Sequence, residues 1–338
     1  MNRYLKTVVI AAPLIILLVA GAAALYGYHY VNSPPGQLKG EVNIEIDPGT
    51  SFYAAAKRLK KAEVIGSIRL FHLYAKFRGS LSGIKAGEYL LQPAMTTKEI
   101  MDQLVEGNVI RHRVTVPEGY NLYQVAELLD EKGIVEKKDF IQKAHDPELI
   151  AKLGIKGLSF EGYLYPETYF FIKGMTSEEI IARMVSRFKK VFTEDLVNKA
   201  AEIGFTPEQV INLASIIEKE TGNPAERPLI SAVFHNRMKK RMRLQSDPTV
   251  IYGMIETFDG NIRKKDLKKK TPYNTYRIGG LPAGPVANPG FDAIKAVLYP
   301  DKTKALYFVS MNNGSHVFAE TLEQHNRNVW KYQKRRRR

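Results

Sequence analysis

Two stretches set the fold class: VNIEIDPGTSFYAAAKRLKKAEVIGSIRLF at Val42–Phe71 and HRVTVPEGYNLYQVAELLDEKGIVEKKDF at His112–Phe140. They lie about 70 residues apart and share one plan. Each begins with an apolar alternation (Ile44 and Ile46; Val114 and Val116) that suits a half-buried strand, because successive strand side chains point to opposite faces. Gly49 and Gly119 then occupy the same place in a turn. A helix follows, with Tyr53 or Tyr123 and Leu59 or Leu129 in register, and Val64-Ile65 or Ile134-Val135 leads into a second helix. Strand, turn and helices in one short unit predict small αβ modules. Two copies do not make a solenoid, which needs at least three.

Between the copies, Gly87–Leu91 reads as a strand and Thr96–Glu106 as a helix capped by Thr96 or Thr97. The units resemble LysM-type modules, which bind N-acetylated glycans; a spacer and docking role is the alternative. From about residue 155 the texture changes. Phe160–Phe171, FEGYLYPETYFF, packs six aromatics around Glu161, Pro166 and Glu167. Helical patterns cover Ser177–Phe192 and Glu194–Ile203. Thr206-Pro207-Glu208 supplies an N-cap, a proline at the first helical position and an acid in the first turn. That helix is expected to run to about Thr221 and stop at Gly222. Ala305–Ser310 and Ser315–Ala319 read as a hairpin around Asn312-Asn313-Gly314, and Thr321–Tyr332 as the terminal helix. The whole is α+β and not a dinucleotide-binding pattern.

The chain has 338 residues, enough for two domains or three small ones. Its apolar share of 44% and charged share of 25% are globular values, which argue against disorder. With no cysteine, disulfides, thiolate metal sites, iron–sulfur clusters and a cysteine nucleophile are excluded. The net charge of +15 invites a nucleic-acid reading. Its distribution speaks against one. Arg237–Lys270 holds eleven basic and four acidic residues, and Lys331–Arg338 holds six basic and no acidic ones. The remainder is nearly neutral.

The N-terminus reads as a membrane segment. No charged residue lies between Lys6 and Lys39, and Val8–Tyr26 is almost wholly apolar. About 20 such residues span a bilayer core. Tyr26, Tyr28 and Tyr30 suit an aromatic belt at the far interface, and Arg3 and Lys6 before the span place residues 1–7 in the cytoplasm and the body outside. A cleaved signal peptide is the competing reading, with Ala22-Ala23-Ala24 as the small residues, but the apolar run is long for one. Ser33-Pro34-Pro35-Gly36 reads as a short linker.

Metal chemistry has little support: the seven histidines are scattered without ligand spacing, so neither a metal nor another cofactor is expected. Carboxylates on the helix after Thr206 are more informative. On a helical wheel the apolar face centres between Ile217 and Val210, with Glu218 at one edge, Glu220 at the other, and Asn212, Ser215 and Lys219 on the polar side. A carboxylate beside apolar neighbours has a raised pKa, which suits a general acid. Periodicity alone does not choose between Glu218 and Glu220.

Several runs closely resemble the membrane-bound endolytic murein transglycosylases of the YceG-like family. They are Leu213–Thr221 (LASIIEKET), Val233–Arg237 (VFHNR), Arg243–Gly253 (RLQSDPTVIYG), Tyr273–Tyr276 (YNTY), Gly279–Pro282 (GGLP), Gly284-Pro285, Ala287–Gly290 (ANPG), Phe160–Tyr169 and Glu320–Asn326. The likeness covers nearly the whole chain, and Val286 is a minor departure where the family has Ile. It implies an anchor at 1–31, a LysM-like domain at 40–111, a mixed α+β catalytic domain at 112–332 (with 112–154 the second αβ unit leading into it) and a basic tail at 333–338. It implies Glu218 as catalytic acid/base. Glu220, Ser215 and Thr249 fall in the same runs as supporting residues.

From the matched runs, Gln245, Asn274 and Asn288 are expected to bind sugar hydroxyls or acetamido groups. Tyr165, Tyr252 and Tyr276 are expected to stack on sugar faces, and Asp247 and Glu161 to orient groups in the cleft. Each has a plainer alternative: core packing for the tyrosines, a helix start for Asp247-Pro248, a turn for Asn288-Pro289-Gly290. The resemblance further implies cleavage of the MurNAc-β-1,4-GlcNAc bond of nascent strands at the cytoplasmic membrane, beside peptidoglycan synthases. A murein hydrolase using Asp247 as base and a non-catalytic wall-binding scaffold are the competing readings.

Overall fold

Local capping chemistry places most element boundaries. Ser51, Ser67, Thr96, Asn121, Asp146, Thr176, Thr206 and Thr321 each accept a backbone N–H at a helix start. Four of the threonine caps, at 96, 176, 206 and 321, close a reciprocal box with Glu or Gln three residues on. The computed structural model describes residues 3–35 and 40–334. Gly36 of the expected linker and the last four arginines of the basic tail lie outside the described residues. The chain forms two units, residues 1–112 with 170–174, and residues 113–169 with 175–338.

The first unit opens with α1 (Arg3–Asn32), which contains a 22-residue stretch, Ala11–Asn32, long and apolar enough to cross a membrane. Between Leu14 and Val19 its apolar side chains are exposed, Leu17 and Leu18 at 68% and 71%. A soluble core helix would bury them. Next come β1 (Val42–Ile46), α2 (Phe52–Lys61), α3 (Ile68–Phe77), β2 (Gly87–Leu91) and α4 (Thr97–Glu106). β1 and β2 are antiparallel, with Ile44 opposite Tyr89. The alternation read from Ile44 and Ile46 turns both inward, onto Leu59, Phe71, Tyr89 and Leu104. Tyr30 at the end of α1 donates to the Ser67 carbonyl at 3.1 Å, so the long helix is tied to the start of α3.

The chain continues with β3 (His112–Thr115), α5 (Leu122–Glu131), α6 (Lys137–Ala144), α7 (Pro147–Lys152) and β4 (Thr168–Phe171), with β3 paired to β4; all but His112, Phe170 and Phe171 belong to the second unit. Then follow α8 (Ser177–Val191), α9 (Glu194–Glu202), α10 (Pro207–Glu220), α11 (Arg227–Lys239), α12 (Asp247–Tyr252) and α13 (Phe291–Leu298). The expected hairpin, β5 (Tyr307–Ser310) with β6 (His316–Ala319), and α14 (Leu322–Val329) end the unit. The terminal helix is shorter than its pattern suggested: from Trp330 to Lys334 the chain widens into a π turn.

α10 departs most from its sequence reading. Every residue from Val210 to Ile217 is buried, including Asn212 and Ser215, which were expected on a polar side. The helix packs against α9, α11, α12 and α13, and a helix covered on several sides carries no amphipathic stripe to read. The Asn212 amide and the Ser215 hydroxyl are instead bonded inside. Asn212 donates to the Pro282 carbonyl at 2.8 Å, and the Ser215 hydroxyl links the Asn212 carbonyl to the Val286 N–H. Nor does Gly222 stop the helix. Thr221 does so one residue earlier, in extended conformation with φ −145°, and its hydroxyl accepts the Asn223 N–H.

Candidate active site

The C-terminal turn of α10 brings Glu218 under a turn from a distant part of the chain. Gly119, at φ +76°, allows the Pro117–Tyr120 turn to lie against the Glu218 side chain. Lys219 donates to the Gly119 carbonyl at 3.0 Å, and the Gly119 N–H donates to the Asn288 carbonyl at 2.9 Å. The Glu218 side chain is 5% exposed. One oxygen meets an Arg227 guanidinium N–H at 2.6 Å, and the other accepts the Gly290 N–H at 3.0 Å. Burial raises its pKa above the ordinary carboxylate value. The Gly290 N–H, Arg227 and Lys219 oppose that rise, and Glu118 adds to it.

Asn288 holds this arrangement in place. Its carbonyl-type oxygen accepts the N–H groups of Gly162 and Leu164 at 2.9 and 3.0 Å. Its amide donates to the Tyr120 carbonyl at 2.9 Å and to Glu161 at 3.2 Å. All four of its hydrogen-bonding positions are thereby used. Glu161 accepts the Leu122 N–H at 2.8 Å as well and is 1% exposed. Its burial is the largest influence on its pKa, pushed up to about 7. Asn274 is likewise fully buried, donating to the carbonyls of Asp266, Leu267 and Lys269 and accepting the Tyr276 N–H. Asn274, Asn288 and Glu161 thus spend these hydrogen bonds on one another and on the backbone, and frame the loops that carry the site.

Glu220 faces a separate cluster. The Ser246 hydroxyl donates to it at 2.5 Å, and burial pushes its pKa up to about 7. Thr249 and Thr275 share a hydroxyl hydrogen bond of 2.8 Å below Ser246. Asp247 does not cap α12, whose N-cap is Ser246; it accepts the Tyr276 hydroxyl at 2.7 Å. Gln245 is exposed, in a left-handed conformation at φ +52°. Tyr252 is half-buried between Tyr123 and Tyr273, and Tyr165 is half-buried with Arg187 over its ring. Arg237, counted above with the basic segment, is inside the protein and donates to the carbonyls of Leu306 and Leu244.

The sequence reading missed Arg227 and Glu118. Arg227 is 6% exposed and contacts Glu118 at 3.5 Å and Asp292 at 4.0 Å besides Glu218. One signal was available: the second repeat carries Glu118 where the first has Pro48. Arg227 begins a helix and carries no pattern of its own. A cavity of about 660 Å³ lies elsewhere, at the N-terminal half of α10, lined by Tyr163, Phe205, Gln209, Asn212, Tyr273 and Leu281. Glu218 does not line it, so the case for this carboxylate rests on its contacts. Among the described residues, no three His, Asp or Glu side chains converge as a metal site.

The model of the YceG-like family matches residues 44–331. The chain belongs to the YceG-like family. An endolytic murein transglycosylase of Bacillus subtilis is 37% identical over 93% of this chain and 91% of its own. One from Streptococcus pneumoniae is 29% identical over 94% of this chain and 63% of its own. Among solved structures, a yceG-like protein of Listeria monocytogenes matches with a TM-score of 0.59 and 33% identity, covering 86% of this chain and 99% of that one.

Proposed function

We propose that this member of the family is an endolytic murein transglycosylase that uses Glu218 as its single acid/base. The observation that carries the reading is the setting of Glu218: a carboxyl almost closed off from water, with a raised pKa, beside an arginine and a backbone N–H. The names of the relatives support the activity and the substrate class.

Protonated Glu218 donates to the glycosidic oxygen of the MurNAc-β-1,4-GlcNAc bond as oxocarbenium character develops at C1. The resulting carboxylate then takes the proton of the C6 hydroxyl on the same muramoyl ring. O6 closes on C1, leaving a 1,6-anhydro end and a reprotonated Glu218. Water takes no part, so no second carboxylate is needed as base or nucleophile. Gln245, Asp247, Tyr276, Tyr252 and Tyr165, each with some exposed surface, are the residues assigned to the glycan.

The βααβ order of the first unit supports the LysM-like reading of that part. The long apolar helix supports a single-pass anchor, and Arg3 and Lys6 before it support a cytoplasmic N-terminus with the chain after the helix outside, which restricts action to strands near the membrane. Mass spectrometry of muropeptides released by wild type and Glu218→Gln tests the proposal. Anhydro ends that vanish in the variant are the expected result.

A further inference from the structure

Arg227 is bound in a way that leaves it movable. It is 6% exposed, yet its side-chain partners among the described residues are all carboxylates: Glu218 at 2.6 Å, Glu118 at 3.5 Å and Asp292 at 4.0 Å. Its Nε has no hydrogen-bond partner. A buried guanidinium held by a backbone carbonyl would be fixed; this one has a choice of anions. The same Nη2 nitrogen reaches both Glu218 and Glu118.

The Glu118 carboxylate lies over Gly290, whose N–H holds Glu218; a Cβ at residue 290 would stand 1.9 Å from its Oε1. Its other side faces solvent, with the side chain 49% exposed.

The chemistry requires such a choice. While Arg227 stays on Glu218, it favours the carboxylate, which cannot donate a proton. When Glu218 takes up a proton, a cation left in a nearly dry site needs another anion. We propose that Glu118 is a positioning residue that accepts Arg227 whenever Glu218 is protonated, and so keeps Glu218 competent as an acid. The proposal rests on the assignment of Glu218 as the acid. The charged groups facing Glu218 are Arg227 from α11, Lys219 from its own helix and Glu118 from the turn after β3. Asp292 on α13 acts through Arg227.

The test is the pH profile of kcat/KM for anhydro-muropeptide release by the full-length enzyme in detergent, for wild type, Glu118→Gln and Glu118→Asp. Activity falls at high pH as Glu218 loses its proton. Glu118→Gln removes a negative neighbour and leaves Arg227 on Glu218, so this limb moves to lower pH by about one unit. Glu118→Asp keeps the charge and restores most of the position. A limb that stays in place in Glu118→Gln overturns the proposal, even if the rate drops.

A 13C-carboxyl titration of Glu218, assigned with Glu218→Gln, reads the same shift without turnover, and an unmoved signal there overturns it as well. Failure of the acid assignment looks different. In that case Glu218→Gln stays active whatever Glu118→Gln does to the titration.

Discussion

Glu161 offers a quantitative check on how the site is framed. Its ordinary carboxylate value of 4.5 is raised to about 7, chiefly by burial. The folded protein therefore binds the proton more tightly than the unfolded chain. The stability this gives is fully present below pH 4.5 and is lost as pH rises through about 7. At 1.36 kcal/mol per pH unit, the difference amounts to about 3 kcal/mol. Glu161→Gln cannot titrate. It also turns an amide N–H₂ toward either the Leu122 N–H or the Asn288 amide, a pH-independent cost of about 1–2 kcal/mol.

Urea unfolding of the full-length protein in detergent, followed by circular dichroism from pH 4.5 to 8, separates the two effects. Wild type is expected to be more stable than the variant at the acid end. Its advantage should shrink by about 3 kcal/mol toward the alkaline end. Parallel curves would refute the reasoning, because they would mean that the carboxyl is as well solvated in the folded chain as in the unfolded one.

Two further outcomes follow from the hydrogen-bond framework. Asn288→Ala leaves the N–H groups of Gly162 and Leu164 without their acceptor; thermal unfolding should report a loss of roughly 3 kcal/mol, and glycan cleavage should fall because Gly290 shifts. Glu220→Gln keeps a group able to accept from Ser246, so anhydro products should persist within roughly tenfold of wild type, whereas removing a true general acid costs on the order of 10²–10⁴.

Much of this architecture was legible in the sequence. The alternation at Ile44 and Ile46 and the threonine caps at 96 and 206 are local signals that the folded chain keeps, since a cap is satisfied within three residues of itself. The site was legible in part. Periodicity put Glu218 and Glu220 at the two edges of one apolar face and only the family resemblance chose Glu218, while Asn274 and Asn288 were read as sugar-binding because an amide looks the same in sequence whether its partner is a ligand or a carbonyl. Only the folded chain shows that Asn288 reaches residues more than a hundred positions away. Asn212 and Ser215 misled for a related reason: a wheel assigns polar residues to solvent, and α10 has almost none around it. Arg227 and Glu118 are more than a hundred positions apart in sequence, and their meeting at Glu218 is a product of long-range packing alone.

The central claim is that Glu218 transfers the proton in a cleavage that excludes water. Mass spectrometry of muropeptides released from purified glycan strands by wild type and Glu218→Gln tests it most directly. The account predicts wild-type products ending in 1,6-anhydro-MurNAc, one water lighter than hydrolysed ends, and none above background from the variant. Reducing ends that have gained water, or anhydro products made equally well by Glu218→Gln, would contradict it.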